Sequence, residues 1–184
     1  LIEQLAQIRG LARIRLSSLE PGDVTPRLLD VLRIHRNIMP HLHLSLQSGS
    51  DAVLKKMCRQ YDVDAFRRVV ETIKTKLDRP AITTDIIVGF PGETDADFEK
   101  TVELAREVGF AKTHVFPFSA RKGTAAAKMQ GTVDARVIKR RSQVMHSLNA
   151  ELGKRFRELF IGESTEVLIE GNGSKLMGRS ERYF

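Results

Sequence analysis

The run from Ala81 to Phe90 places the tightest limit on what this chain can fold into. It is rich in β-branched residues, and Asp85 is its only charged residue. Such a run is typical of a strand that is buried on both faces within a parallel sheet. Because Asp85 interrupts an apolar strand, it must find a hydrogen-bonding partner or face the interior of a barrel.

Strand-like and helix-like segments alternate around this run. Alternating apolar residues predict strands at 12–16, 41–46 and 113–118, and helical spacing predicts helices near 26–35, 51–58, 63–77 and 95–108. Strands recur roughly every 30 residues, which favours βαβ units and a parallel sheet. The predicted fold class is therefore α/β, as part of a parallel, TIM-like βα barrel. An open, doubly wound sheet is the alternative that periodicity cannot separate from it.

The pattern changes after Ser119. A basic loop is followed by a long helix rich in Arg and Lys over about 133–160, a strand at 165–170 and a hairpin-type turn at 171–173. We therefore predict two parts: 1–160 is the C-terminal part of the barrel with its trailing helix, and 161–184 is the beginning of a small β domain. Both ends of the sequence lead us to expect continuation in a longer protein.

Charge and cysteine content limit the class of protein. The net charge of +7 favours a polyanionic partner such as nucleic acid, although a basic solvated surface explains it equally well. No run approaches the roughly 18 apolar residues of a membrane helix, so we expect no membrane contact. Cys58 is the only cysteine, which excludes a disulfide framework or a cysteine-held cluster within this chain and favours the cytoplasm.

Ligands of parallel α/β folds gather outside the carboxyl ends of the strands. Four predicted ends are polar or rich in glycine, and glycine lets a ligand approach the backbone closely. Helix capping and core packing are the structural alternatives for these segments. His41 and His43 share a strand face at a spacing that can bind a metal, but we favour a polar barrel interior and predict no metal site. The four ends are Ser17-Ser18-Leu19-Glu20, Gln47-Ser48-Gly49-Ser50, Gly89-Phe90-Pro91-Gly92-Glu93 and Phe116-Pro117-Phe118-Ser119.

Together, these segments resemble one family. RIRLSSLEP, HLHLSLQSGSDAVLKKMCRQY, TTDIIVGFPGETDADFEKT and HVFPFSARKGTAAAKM stand in the order found in radical-SAM methylthiotransferases, and the resemblance covers nearly the whole chain. SSLEP and ARKGTAAAKM look most like the branch acting on threonylcarbamoyladenosine at tRNA position 37. The isopentenyladenosine and ribosomal-protein branches are alternatives. Residues 161–184 look like the beginning of the TRAM RNA-binding domain of these enzymes.

The resemblance implies an enzyme that adds a methylthio group to C2 of N6-threonylcarbamoyladenosine by S-adenosylmethionine radical chemistry. It implies S-adenosylmethionine and two 4Fe–4S clusters as cofactors, tRNA as substrate and an external sulfur or electron donor. The family's CxxxCxxC motif and the three cysteines of its N-terminal domain have no counterpart here. We therefore expect a fragment without that domain and the first barrel strands, inactive alone. The alternative is a non-catalytic RNA-binding module.

The resemblance also assigns residues by position. Gln47, Ser48 and Gly49 would bind the ribose and methionine portion of S-adenosylmethionine. Its adenine would lie against Gly89, Phe90 and Gly92, with Phe116 beside it. The residues expected to face the substrate are Ser17, Ser18, Glu20, Arg121 and Lys122. Arg121, Lys122 and the helix around 139–141 are the candidates for phosphate contacts. No catalytic residue is assigned.

Overall fold

A computed structural model of the chain describes residues 1–170 and 177–184. The hairpin-type turn predicted at 171–173 lies outside the described residues. Short 3-10 turns occur at Pro21–Asp23 and Ala126–Lys128. The helices and strands are α1 Ile2–Ala6, α2 Pro26–Ile34, β1 His41–His43, α3 Asp51–Lys56, α4 Val63–Lys76, β2 Ala81–Val88, α5 Asp95–Val108, β3 Lys112–Pro117, α6 Ala135–Glu158, β4 Val167–Glu170 and β5 Met177–Ser180.

Three parallel strands form the main sheet in the order β1-β2-β3. Leu42 lies opposite Ile82, and Asp85 lies opposite His114. Each strand is thus added beside the one before it, as in a βα barrel, whereas the order of a doubly wound sheet reverses at a switch point.

The strand predicted at 12–16 is only partly formed. The segment runs parallel to the chain around β1, but it makes isolated bridges from Ile14 to Ile38 and from Leu19 to Leu44. The two bridges are therefore five residues apart in this segment but six residues apart in its partner, so the two chains do not keep one continuous register. Ser18 has a φ of 58°, which turns the backbone out of the extended conformation.

The two faces of the sheet differ in polarity. Leu42, Ile82 and Ile86 are buried and belong to the core formed with the helices. On the opposite face, the register aligns His43 with Thr83 and Asp85 with His114. In a βα barrel, helices cover only the outer face of the sheet, whereas in a doubly wound fold they cover both faces. The polar inner face therefore favours the barrel interpretation.

The long helix α6 closes the apolar face of the sheet. Met145, Leu148 and Leu152 recur at helical spacing and are all buried. The side-chain oxygen of Asn149 accepts a hydrogen bond of 2.7 Å from the backbone N–H of Thr113, which ties α6 to β3. α6 therefore packs directly against the main sheet, and the predicted boundary near residue 160 stays a prediction.

A small antiparallel sheet of β4 and β5 follows α6. Arg13 contacts β5 and the residue before β4, because it donates to the backbone oxygens of Arg179 and Glu166 at 2.8 and 3.0 Å. Arg182 reaches back to the backbone oxygen of Arg79, at 3.0 Å. The assignment of 161–184 to a separate domain stays a prediction.

Candidate active site

The predicted strand ends meet along one edge of the sheet. The backbone N–H of Leu19 donates to His43, that of Gln47 to Asp85 and that of Phe118 to Val88, at 2.9, 2.9 and 2.8 Å. The structure therefore brings together the four segments in which the sequence placed site residues.

Gln47 lies beside β2 in a left-handed conformation, with a φ of 66°. Its carbonyl accepts from the N–H of Ile87 at 2.9 Å, which holds the backbone in place. Its side chain is nearly buried, yet the amide has no hydrogen-bond partner among the described residues. Gln47 thus keeps one donor group and one acceptor group for a ligand.

Ser48 and Gly49 are held by α5. The N–H of Gly49 donates to the hydroxyl of Thr101 at 2.9 Å, and the hydroxyl of Ser50 donates to Asp97 at 2.6 Å. A Cβ atom at Gly49 would lie 2.6 Å from the Cα of Thr101. A helix therefore fills the space that a side chain at position 49 would need. Cofactor binding by Ser48 and Gly49 stays a prediction.

The glycine turn, residues 89–93, links β2 to α5. Gly89 and Gly92 have φ values of 79° and 74°, which only glycine adopts readily. The N–H of Gly92 donates to Gly131 at 2.7 Å, and a Cβ at Gly89 would collide with Ile138 of α6. α6 and the segment around Gly131 therefore pack against the turn.

The aromatic residues near the glycine turn divide into two kinds. Phe90 is buried and meets the ring of Phe118 edge-on, with 5.2 Å between centroids. Phe116 lies opposite Ile87 in the register and is 50% exposed. Among the predicted cofactor residues, Phe116 is thus the ring that is open to stacking.

A buried ion pair supports the glycine turn. Glu93 accepts hydrogen bonds from the N–H of Gly89 at 2.7 Å and from Arg141 at 2.6 Å, and Arg141 also contacts Asp95 at 2.8 Å. Burial raises the pKa of Glu93, while the Gly89 N–H and Arg141 act against this shift. Arg141 was a candidate for phosphate contacts, and that expectation is wrong because its side chain is only 3% exposed and is occupied by carboxylates. Arg140 contacts Asp95 from the exposed side.

A polar cluster covers the face of the sheet opposite the helices. The ring of His43 contacts the hydroxyl of Thr83 at 3.0 Å and the carboxylate of Asp85 at 3.4 Å, and the ring of His114 lies 5.8 Å away. Burial lowers the pKa of His114. Asp85 therefore has the partner that its position in an apolar strand required. No group of three metal-binding side chains occurs in the part of the chain that the structure describes.

Ser17, Ser18 and Glu20 are exposed at the first strand end. Glu20 accepts a hydrogen bond of 3.0 Å from Arg59, a residue that the sequence did not single out. The segment after α3 brings Arg59 back to this edge of the sheet. Local sequence pattern does not predict this contact. Arg121 and Lys122 lie in an exposed loop, consistent with their predicted availability to a partner.

A basic cleft lies on the polar face, at the opposite end of the sheet from the glycine turn. Its volume is about 450 Å³, and no Asp or Glu is among the described residues that line it. The guanidinium of Arg15 lies over the ring of Tyr183, 4.3 Å from its centroid. Such a surface suits a polyanion. Its basic residues are Arg15, Lys112, Arg157, Arg179 and Arg182.

Comparison with known proteins identifies the family. The model of the radical SAM superfamily matches residues 1–105. The chain belongs to the radical SAM superfamily. One solved structure, the coproporphyrinogen III oxidase (HemN) from Escherichia coli, shares its fold with a TM-score of 0.63 and 18% identity over 77% of this chain and 32% of that chain.

Curated relatives of this radical SAM chain include tRNA-modifying enzymes. It is 42% identical, over 100% of its length, to the threonylcarbamoyladenosine tRNA methylthiotransferase MtaB of Thermotoga maritima. It is 41% identical, over 99% of its length, to the tRNA-2-methylthio-N(6)-dimethylallyladenosine synthase of Bacillus subtilis. The chain spans 43% and 36% of these relatives. The resemblance to methylthiotransferases is confirmed.

The superfamily implies S-adenosylmethionine and a 4Fe–4S cluster, and the residues fit these two groups differently. The unpartnered amide of Gln47, the carboxylate of Asp85 and the exposed ring of Phe116 suit the hydroxyls and the flat base of S-adenosylmethionine. A 4Fe–4S cluster is held by several cysteine thiolates, and Cys58 is the only cysteine of this chain. The chain by itself therefore does not provide a cluster site. None of the described helices is long and apolar enough to span a bilayer.

Proposed function

We propose that a protein containing this chain is a tRNA methylthiotransferase that adds a methylthio group to C2 of N6-threonylcarbamoyladenosine next to the anticodon. The observation that carries the proposed methylthio transfer is the 42% identity, over the whole chain, with a tRNA methylthiotransferase. Because the chain spans 43% of that relative, the activity is proposed for the longer protein.

The choice of substrate rests on the chemistry of the polar face. Identity does not separate the two kinds of relative, at 42% and 41%. A threonylcarbamoyl group carries a carboxylate and a hydroxyl, whereas a dimethylallyl group is purely hydrocarbon. His114 and the exposed hydroxyls of Ser17 and Ser18 suit the polar group, because hydrogen-bond donors bind an ionised carboxylate strongly.

The chain's own residues would bind and orient the reactants. Gln47 and Asp85 would hold the polar part of S-adenosylmethionine, with Phe116 against its base. When bound, that cofactor supplies the radical and methyl-transfer chemistry of the superfamily. Arg121, Lys122 and the basic cleft would contact tRNA phosphates, and sulfur or electrons would come from an external donor. We propose the cytoplasm as its location, since that is where a tRNA substrate is found.

The test is complementation in a bacterial strain that lacks its own tRNA methylthiotransferases. The complete gene is expressed, and the nucleosides of bulk tRNA are separated and identified by mass spectrometry. We expect 2-methylthio-N6-threonylcarbamoyladenosine to appear. The dimethylallyl product instead would assign the other substrate, and the absence of both products would contradict the proposed activity.

A non-catalytic RNA-binding module is the second candidate, and the basic cleft is the observation that favours it. The purified complete protein distinguishes the two. The module predicts tRNA binding that weakens steeply with salt, without any cleavage of S-adenosylmethionine when a reductant is added. The enzyme predicts that cleavage.

A further inference from the structure

We propose that Arg141 of α6 is a positioning residue: acting through Glu93, it holds the glycine turn in the conformation that receives S-adenosylmethionine. This inference rests on the proposed function, since it concerns the shape of the same cofactor site. Arg141 itself would touch neither cofactor nor substrate.

The first support is the direct hydrogen-bonded connection between the glycine turn and α6. One oxygen of Glu93 joins the two, because it accepts from the N–H of Gly89 at 2.7 Å and from Arg141 at 2.6 Å. Arg141 also reaches the backbone oxygen of Glu93, at 3.3 Å. The turn is therefore fixed at its first and last residues by one arginine and its partner carboxylate.

The second support is the burial of the pair. The side chains of Arg141 and Glu93 are 3% and 1% exposed. Removing one partner of a buried ion pair leaves an uncompensated charge, which is far more costly than losing a surface pair. A glycine-rich turn has little rigidity of its own, so this pair supplies the constraint that the glycines lack.

The third support is that the pair is not fully satisfied within the described residues. The second carboxylate oxygen of Glu93 and the Nε of Arg141 are buried without a hydrogen-bond partner. Replacing a buried ion pair by well-packed apolar residues is often neutral or stabilising, so stability alone does not require this pair. Keeping a costly polar connection at this turn indicates that its geometry is what matters.

The fourth support is that α6 packs directly against the turn. Ile138, one helical turn before Arg141, fills the space where a Cβ of Gly89 would lie. Asp95, in the first turn of α5, accepts a further hydrogen bond from Arg141 at 2.8 Å. α6 thus sets both the turn and the beginning of the following helix.

The test compares Arg141→Gln with Arg140→Gln in the complete protein, reconstituted with its clusters and kept without reductant. Arg140 is the neighbouring arginine, and its side chain is 64% exposed. S-adenosylmethionine affinity is measured by equilibrium dialysis, and hydrogen exchange is measured on peptides covering 86–94. For Arg141→Gln we expect faster exchange of the Gly89 amide and a dissociation constant raised about tenfold. Arg140→Gln should match the wild type in both measurements.

Conservative variants keep the test decisive if Arg141→Gln does not fold. Arg141→Lys retains the charge and should restore part of the affinity. Glu93→Gln retains an oxygen for the Gly89 N–H and should weaken binding without global unfolding. A lowered melting temperature with unchanged S-adenosylmethionine affinity would show a purely structural role and overturn the inference. If the wild type itself does not bind S-adenosylmethionine, the proposed function fails, whereas unchanged Gly89 exchange in the variants refutes the positioning role.

Discussion

His41 lies on the polar face of the sheet, with 1% of its surface exposed. Its ring contacts the side chains of Arg15 and Thr83, both at 3.3 Å. Burial, followed by the charges of Arg15 and His43, lowers its pKa from 6.5 to about 4. The folded protein therefore disfavours the protonated ring at this position.

This shift predicts a pH dependence of stability. Between pH 6.5 and about 4 the unfolded chain binds a proton at His41 that the folded chain does not, so stability falls as pH falls through this window. The full effect is about 3 kcal/mol. His41→Gln should flatten this part of the curve of unfolding free energy against pH, measured by urea titration. His146→Gln, at an exposed position of α6, is the control, and an equal flattening there would contradict the assignment.

Gly49 gives a second prediction at the scale of one residue. Gly49→Ala places a Cβ 2.6 Å from the Cα of Thr101 and 2.7 Å from the backbone oxygen of Lys100. Because both neighbours are backbone atoms of α5, we expect the free energy of unfolding to fall by about 1–3 kcal/mol. Gly22→Ala meets open space and should stay within about 1 kcal/mol of the wild type in the same urea titration.

Among the elements, those with a strong local pattern could be predicted from the sequence and those shaped by distant contacts could not. α4 and α5 begin at the predicted residues, Val63 and Asp95, and the structure shows Asp62 and Thr94 as their N-terminal caps. The segment near Ile14 alternates like a strand, but its register with Ile38 prevents one. Arg141 looks like a residue of a solvated basic face, since its partner Glu93 is 48 positions away. Strand ends were found by pattern, whereas their supporting contacts required the fold.

The apolar face of α6 gives the prediction at this scale. Met145 is fully buried between α6 and the sheet, so Met145→Ala should cost about 2–5 kcal/mol of unfolding free energy. Val144→Ala, at the adjacent position with 42% exposure, should change it by no more than about 0.5 kcal/mol. Chemical denaturation of both variants checks this, and similar losses would contradict the observed orientation of α6.

At the scale of the whole molecule, arginines connect the barrel to the sheet of β4 and β5. Arg182 donates to the backbone oxygens of Arg79 and Asp78 at 3.0 and 3.1 Å, and its guanidinium lies 4.7 Å from the ring of Phe160. Arg79 in turn binds Glu163 at 2.6 Å. Polar contacts thus carry much of this attachment, since Leu168 and Ile169 of β4 remain exposed.

Removing Arg182 should loosen this attachment. Arg182→Ala loses two hydrogen bonds and the stacking on Phe160, so we expect chymotrypsin to cleave between 161 and 184 about tenfold faster. Arg136→Ala, whose side chain is 94% exposed in the first turn of α6, is the matched control. Equal cleavage rates in the wild type and Arg182→Ala would show that other contacts dominate.

The placement of α6 also has a consequence for biosynthesis. Its buried residues Met145, Leu148 and Leu152 complete a core that includes Ile82 and Phe110, which the ribosome makes much earlier. Until α6 has emerged, β2 and β3 present uncovered apolar surface and the glycine turn lacks Arg141. A nascent chain halted before residue 135 should therefore be a preferred client for chaperones that bind exposed apolar segments, and release should follow completion of α6.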